Sequence, residues 1–445
     1  MGRKDLEIST LENFHQAFTS SPKNLMARNA VTRSSILDVA MNREAATRAH
    51  HTFSNVVTPH VTVTNQKASG RCWLFAALNA MRIPLMRKYK LDKFEFSQAY
   101  LFFYDKLEKA NFFLENILKT AKEDLDSRLV QHLLWHPVED GGQWHMFVNL
   151  VSKYGIVPQE AMPESFHSGA SARLNWILTY KLREFAKQLR DGYAAGQSPS
   201  KLRAEKTEML EDVYRILTIH LGSPPTRFDW RFRDKKKKFH EHNDITPQEF
   251  FKKFVPFKVN DKICLINAPS PQKPLDRLYT VDYLGNVAEG LPVLYINLPI
   301  EELRKATIRS LKANDAVWFG CDVGQHFSRD LGFLDPELYN YELVFDTSFQ
   351  LDKGHRIDYR ESLMTHAMVF SGVDLHKGKP QHWRVENSWG DQHGQKGFFS
   401  MSDAWFDEFV FEVTIDKKFL PKRVLSILEQ KPLHLPPWDP MGSLA

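Results

Sequence analysis

The sequence predicts an α+β protein of two packed lobes, on three observations. The first half of the 445-residue chain spaces its apolar residues as helices do, and the last third breaks into short β-rich runs separated by Gly, Pro and Asn. Between the arm that opens the chain and the rest of the helical half, a polar loop runs into a stretch that is apolar on almost every face. Cys72 stands at that junction. There are no internal repeats.

Composition narrows the class. Hydrophobic residues at 42% and charged residues at 25% describe an ordinary soluble globular protein. Lys and Arg exceed Asp and Glu by 59 to 54, a net charge of +5. That mild excess permits contact with nucleic acid without arguing for it. Three cysteines, Cys72, Cys264 and Cys321, fit a reducing compartment better than a disulfide framework. The first ten residues are charged and lack an apolar core, so they do not read as a secretory signal. Leu6 stands where myristoylation calls for Ser or Thr. No apolar run approaches membrane-spanning length. The expectation is a cytoplasmic protein with no membrane partner.

The elements follow in order. Residues 1–55 read as a helical arm, with Leu11, Phe14, Ala17 and Phe18 at helical spacing, packing over the body or over a neighbouring subunit. Residues 56–63 are β-branched and extended. Residues 73–86 form a helix buried all round, kinked or ended by Pro84. Residues 94–118 carry a dense aromatic set that reads as core. Glu139-Asp140-Gly141-Gly142-Gln143-Trp144 breaks the helical pattern, and its paired glycines allow close backbone approach. A helix resumes at 148–154. Residues 56–160 thus form the helical lobe.

Residues 161–260 read as a helical, basic insertion. It is highly charged over 170–220 and carries Lys235-Lys236-Lys237-Lys238. Such a run is usually a solvated turn; nucleic-acid contact is the alternative. Thr246 and Glu249 form a capping box. Residues 261–430 form the β lobe, with strands at 262–267, 277–283, 293–297, 316–323, 366–373, 382–386, 397–401 and 410–415 and a helix at 300–312. Residues 431–445 are a tail, stiffened by Pro436, Pro437 and Pro440.

A thiol in the first turn of a helix feels the positive end of the macrodipole, which favours its thiolate. Most free cysteines are nevertheless simply buried, and the far end of the chain decides. A thiolate nucleophile needs a base and something to orient that base. His366 is a lone imidazole at a strand entry. If the hairpin turns near Gly378, Asn387 comes within a few residues of His366 across the ladder. Asn387-Ser388-Trp389-Gly390 then offers an amide to hold the imidazole tautomer and an indole to shield it.

With those residues in place, the chain resembles the papain-like cysteine peptidases. Gln66 matches the oxyanion glutamine, Cys72-Trp73 the nucleophile and its follower, His366-Ala367 the histidine, and Asn387-Ser388-Trp389-Gly390 the orienting segment. Gly141-Gly142 resembles the glycine pair lining the substrate cleft, with Trp389 on its other side. Two departures stand out. Ser69 replaces the disulfide cysteine of secreted members, and Cys72 and His366 lie 294 positions apart (366 − 72), where about 130–150 is usual. The combination is similar to the bleomycin hydrolase and aminopeptidase C branch. The match covers nearly the whole chain, including Phe94-Glu95-Phe96-Ser97-Gln98, Trp383-Arg384-Val385-Glu386 and the end Trp438-Asp439-Pro440-Met441-Gly442-Ser443-Leu444-Ala445.

The resemblance implies a papain-like two-lobed fold, a helical lobe and an antiparallel β-barrel lobe, and a Cys72, His366, Asn387 aminopeptidase with Gln66 at the oxyanion. It implies no cofactor and no metal. It implies a tail lying in the cleft, with Ala445 meeting the substrate's α-ammonium. It also implies a homohexamer with a basic channel able to hold nucleic acid. A nucleic-acid-binding channel protein, with hydrolysis secondary, is the alternative reading.

Overall fold

The computed structural model describes residues 4–443. The expectation for Ala445 therefore falls outside the described residues.

The helical lobe is organised around the helix Cys72–Tyr89, which buries every residue from Cys72 to Met86 except Pro84. The sequence predicted that Pro84 would kink or end this helix, yet the helix continues five residues beyond it. A proline inside a helix costs about 3 kcal/mol. Packing on all sides of a fully buried helix outweighs that cost, and Lys90 closes it in the left-handed conformation at φ 54°. The helix Gln98–Lys119 begins at Ser97, whose hydroxyl accepts from the Tyr100 N–H. It turns Tyr100, Leu101, Phe102 and Phe103 into the core. The helix Trp144–Tyr154 starts four residues earlier than its apolar spacing suggests.

Within 161–260 the helices Ala172–Ala194 and Pro199–Leu221 are joined by four residues and pack on Gln98–Lys119. A β-hairpin follows, Phe228–Arg233 paired with Phe239–Ile245, which the helical reading of this stretch did not contain. Its alternation explains it. Trp230 is buried against Tyr89, Phe250 and Phe254. Arg231 faces outward and pairs with Glu241 at 2.6 Å. The four lysines 235–238 form the exposed tip or flank it. The capping box of Thr246 and Glu249 is present.

The β lobe is one twelve-stranded sheet. Its central ladder runs Lys262–Ile266, Val410–Asp416, Val317–Cys321, His366–His376, Lys379–Glu386 and Phe398–Ser402, antiparallel throughout. Parallel pairs occur only outside it, among the described residues. The hairpin 366–386 turns at Lys377 and Gly378, both at positive φ (49° and 81°), the backbone twist that matches a two-residue turn to its strands. Of the stretch expected to be extended at 56–63, only Asn55–Val56 joins the sheet, against Val373 and Gly372.

Buried polar contacts clasp the two lobes. The Trp318 indole donates to the Trp73 carbonyl at 3.2 Å. Arg82, on the Cys72 helix, donates to Glu386 at 2.6 Å, one residue before Asn387, and to the Thr62 carbonyl at 2.6 Å. Both ion-pair partners are buried. Desolvation pushes the Glu386 carboxyl up and Arg82 pulls it back. Arg82→Ala would leave a buried, unpaired carboxylate and is expected to cost about 3–5 kcal/mol in denaturant unfolding. Arg82→Met combined with Glu386→Leu should recover most of that loss.

Candidate active site

Cys72 is the first residue of its helix and is 2% exposed. The loop before it is fixed by hydrogen bonds at each step. The Gln66 N–H donates to the Ser388 carbonyl at 2.8 Å. The Gln66 Nε2 donates to the Ser69 carbonyl at 2.5 Å, and its Oε1 accepts from the Ser388 hydroxyl at 2.6 Å. Arg71 is buried and forks onto Glu164 at 2.9 and 2.7 Å, the bidentate geometry guanidinium favours.

Asp140 holds the loop from below. Its carboxylate accepts from the Gly70 N–H at 2.8 Å, from Asn175 at 2.7 Å and from the Ser171 hydroxyl. It also pairs with Lys106 at 2.7 Å. Its backbone carbonyl takes the Trp73 indole N–H at 2.7 Å. Burial pushes the Asp140 carboxyl up, but Lys106, Ser171 and the Gly70 N–H outweigh it, and the group lies well below the usual carboxylate range. A Cβ on Gly142 would sit 2.6 Å from the Trp73 ring, so this glycine permits close packing. The Gly141 carbonyl accepts from Lys109 at 2.6 Å. Sequence reading placed Asp140 in the Glu139–Trp144 motif but gave its carboxylate no role. The signal that could have found it is the set of charges Asp105, Lys106 and Lys109 inside an otherwise aromatic helix, which need buried counter-charges.

His366 begins its strand, opposite Cys321 on one side. Its ladder to the next strand ends at Val369 and Glu386, which leaves Asn387 free to swing back. His366 Nε2 lies 2.8 Å from Asn387 Oδ1. The same oxygen accepts from the Ser388 N–H at 2.8 Å. That second bond fixes Oδ1 as an acceptor, so Nε2 carries the proton and Nδ1 keeps its lone pair. The Trp389 ring covers the imidazole, centroids 4.8 Å apart, and Arg329 lies over that indole at 4.6 Å. The Ala367 N–H, next in sequence to His366, points at the Cys72 thiol. The structure therefore brings Gln66, Cys72, His366, Asn387 and Trp389 to one seam between the lobes.

Electrostatics corrects one expectation. The helix start was expected to lower the thiol pKa. Burial instead pushes Cys72 up to about 11, and the N–H groups of Ala367, Trp73 and Cys72 offset only part of it. Burial likewise pushes His366 down to about 4, against the Asn387 bond. Each charge alone is disfavoured.

The tail reaches Gln143 and the segment just before His366. Residues Leu433–Leu435 run parallel to Arg277–Val281. Arg128 stacks on the Trp438 ring at 3.9 Å, Lys273 pairs with Asp439 at 3.1 Å, and Met441 is buried. The Ser443 carbonyl accepts from Gln143 at 2.6 Å, and its hydroxyl donates to the Met364 carbonyl at 2.9 Å. Ser443 is thus held between the residue after Gly142 and a residue two before His366.

A family model described as the peptidase C1-like family matches residues 5–442. The chain belongs to that family. It is 48% identical to bleomycin hydrolase of Mus musculus, with all of both chains covered. It is 43% identical to aminopeptidase C of Listeria monocytogenes over 99% of each chain. The crystal structure of PepW from Lactobacillus rhamnosis superposes with a TM-score of 0.97 at 47% identity, covering 99% of this chain and 100% of that one. The papain-like α+β fold read from the sequence is the fold the chain adopts.

The two burial-driven shifts set the expected pH behaviour. Below about 4 the imidazole gains a proton, and above about 11 the thiol loses its own. Between these limits the protonation of both groups is constant, so kcat/KM should be nearly flat across neutral pH. A steep step near the ordinary histidine pKa of about 6.5 would count against the burial of His366 setting its titration.

Proposed function

We propose that this chain, a cysteine aminopeptidase by family, cuts peptides with Cys72 as nucleophile, His366 as acid and base, and Asn387 as the group that orients His366. The observation that carries this reading is the His366 Nε2 to Asn387 Oδ1 bond of 2.8 Å. It leaves Nδ1 as the base. His366 takes the Cys72 proton, the thiolate attacks the carbonyl carbon of the first residue, and an oxyanion forms. The Cys72 N–H and the second N–H of Gln66 Nε2 receive that oxyanion. His366 then protonates the departing amine. Water, deprotonated by His366, releases the acyl group and restores the thiol. Gly141, Gly142 and Trp389 line the substrate path. The amide of bleomycin and homocysteine thiolactone belong to the same reading as substrates.

The path of the tail supports a tail-limited exopeptidase. Ser443 is fastened to Gln143 and to the Met364 carbonyl, which supports a tail running into the cleft, and Ala445 follows two residues later. Its carboxylate would meet the substrate's α-ammonium, a charge-assisted contact, and close the cleft to longer chains. Homohexamer formation and a cytoplasmic location belong to this proposal. The arm supports assembly: its first helix, Ile8–Thr19, buries nothing against its own chain, while Leu6, Ile8, Leu11 and Phe14 stay exposed. The exposed lysines 235–238 support weak nucleic-acid contact as a secondary property.

Five outcomes test the reading. Cys72→Ala should abolish hydrolysis with the fold intact, and retained turnover would sink the mechanism. Gln66→Ala should lower kcat by roughly 10²–10³-fold, the worth of one oxyanion donor. Deleting Leu444 and Ala445 should turn strict aminopeptidase action toward endopeptidase cleavage, read on N-terminally blocked peptides. Sedimentation at working concentration should show six copies, and salt-dependent DNA binding by Cys72→Ala would distinguish the channel property from hydrolysis.

A further inference from the structure

A second imidazole cluster lies where the end of the N-terminal arm meets the hairpin 366–386. His50 Nε2 and His382 Nδ1 face each other at 2.8 Å, with ring planes at 69°. Asp374 is the direct cross-strand partner of His382. One ligand atom from each of the three residues lies within 4.8 Å of the other two. Two imidazole nitrogens this close cannot both present lone pairs to each other. Something electropositive must lie between them, and in the metal-free chain it is the proton of one tautomer.

A divalent transition-metal ion does the same with both imidazoles as acceptors, and Asp374 supplies negative charge to it. We propose that His50, His382 and Asp374 form a binding site for a divalent ion of the zinc type, and that the ion staples the arm to the hairpin leading into His366 and Asn387.

Three features favour the site. The backbone is already in place: Ser54 accepts from the Leu375 N–H at 2.8 Å, and Asn55–Val56 pairs with Gly372 and Val373, so His50 lies four residues from a fixed point. The geometric change is small. Zinc–nitrogen bonds of about 2.0–2.1 Å in a tetrahedron put the two nitrogens about 3.3 Å apart, which is about half an ångström of opening. All three side chains are half-buried, so they can adjust and leave the fourth position to water. One guanidinium lies near the site, and its charge is shared with carboxylates. Arg48, the nearby guanidinium, is paired with Asp335 at 3.4 Å and Glu337 at 2.7 Å.

The probe is Zn²⁺ alone, titrated calorimetrically into full-length Cys72→Ala protein so that the thiol does not compete. One tight equivalent per chain is expected, together with a Zn²⁺-dependent rise in Tm. Loss of a mere supporting hydrogen bond at a metal site costs about 10–100-fold in affinity. His50→Gln and His382→Gln, which remove ligands, should each cost at least that and abolish the Tm rise. Asp374→Asn, which keeps the shape of the side chain, should weaken binding in the same direction and serves if a histidine variant fails to fold. Absence of a tight equivalent would overturn the proposal. So would affinity unchanged in these variants, or binding lost only when His366 is replaced.

Discussion

One buried carboxylate, that of Asp140, holds the centre of this protein in place. Its charge is matched by Lys106 and its oxygens by Gly70, Ser171 and Asn175. Its own carbonyl holds Trp73. The residue immediately before Cys72's neighbour Arg71, and the residue immediately after Cys72, are thereby tied to one anchor. The thiol position follows from that anchor more than from the helix itself. A buried charge of this kind is costly unless it is fully paired, so its surroundings are as constrained as the site above it.

The same logic extends to both sides of the seam. On the helical side Arg71 and Glu164 lock the loop. Across it, Arg82 reaches Glu386, just before Asn387. Ser388 serves both halves: its hydroxyl fixes the Gln66 amide and its N–H fixes the Asn387 oxygen. The Asn387 amide, which holds His366, and the Gln66 amide are therefore both tied to one residue. The dry surroundings disfavour the thiolate of Cys72 and the imidazolium of His366 alike.

Tail and arm are each fastened to distant parts of the chain. The tail is pinned at Trp438, Asp439 and Met441 before Ser443 meets Gln143 and Met364. The arm, after leaving its first helix without burying a residue, is tied down at Asn42 and Ser54 and brings His50 onto the strand that carries His382.

Sequence by itself determined the elements whose signal is local. The buried helix after Cys72, the helix Ile300–Lys312, the capping box of Thr246 and the turn at Gly378 are written in periodicity, caps and positive φ. The pairing of His366 with Asn387 was legible because a tight hairpin fixes register. Tertiary structure decided what depends on distant partners. Pro84 stays inside a helix because burial on every face outweighs its lost hydrogen bond. Residues 228–245 form a hairpin because Trp230 finds Tyr89, Phe250 and Phe254. The Cys72 thiol rises rather than falls because desolvation exceeds the effect of the helix start. Asp140 became a hub, and His50 met His382, only when segments far apart in the chain were packed together, and no local pattern encodes which buried charge or imidazole will find which partner.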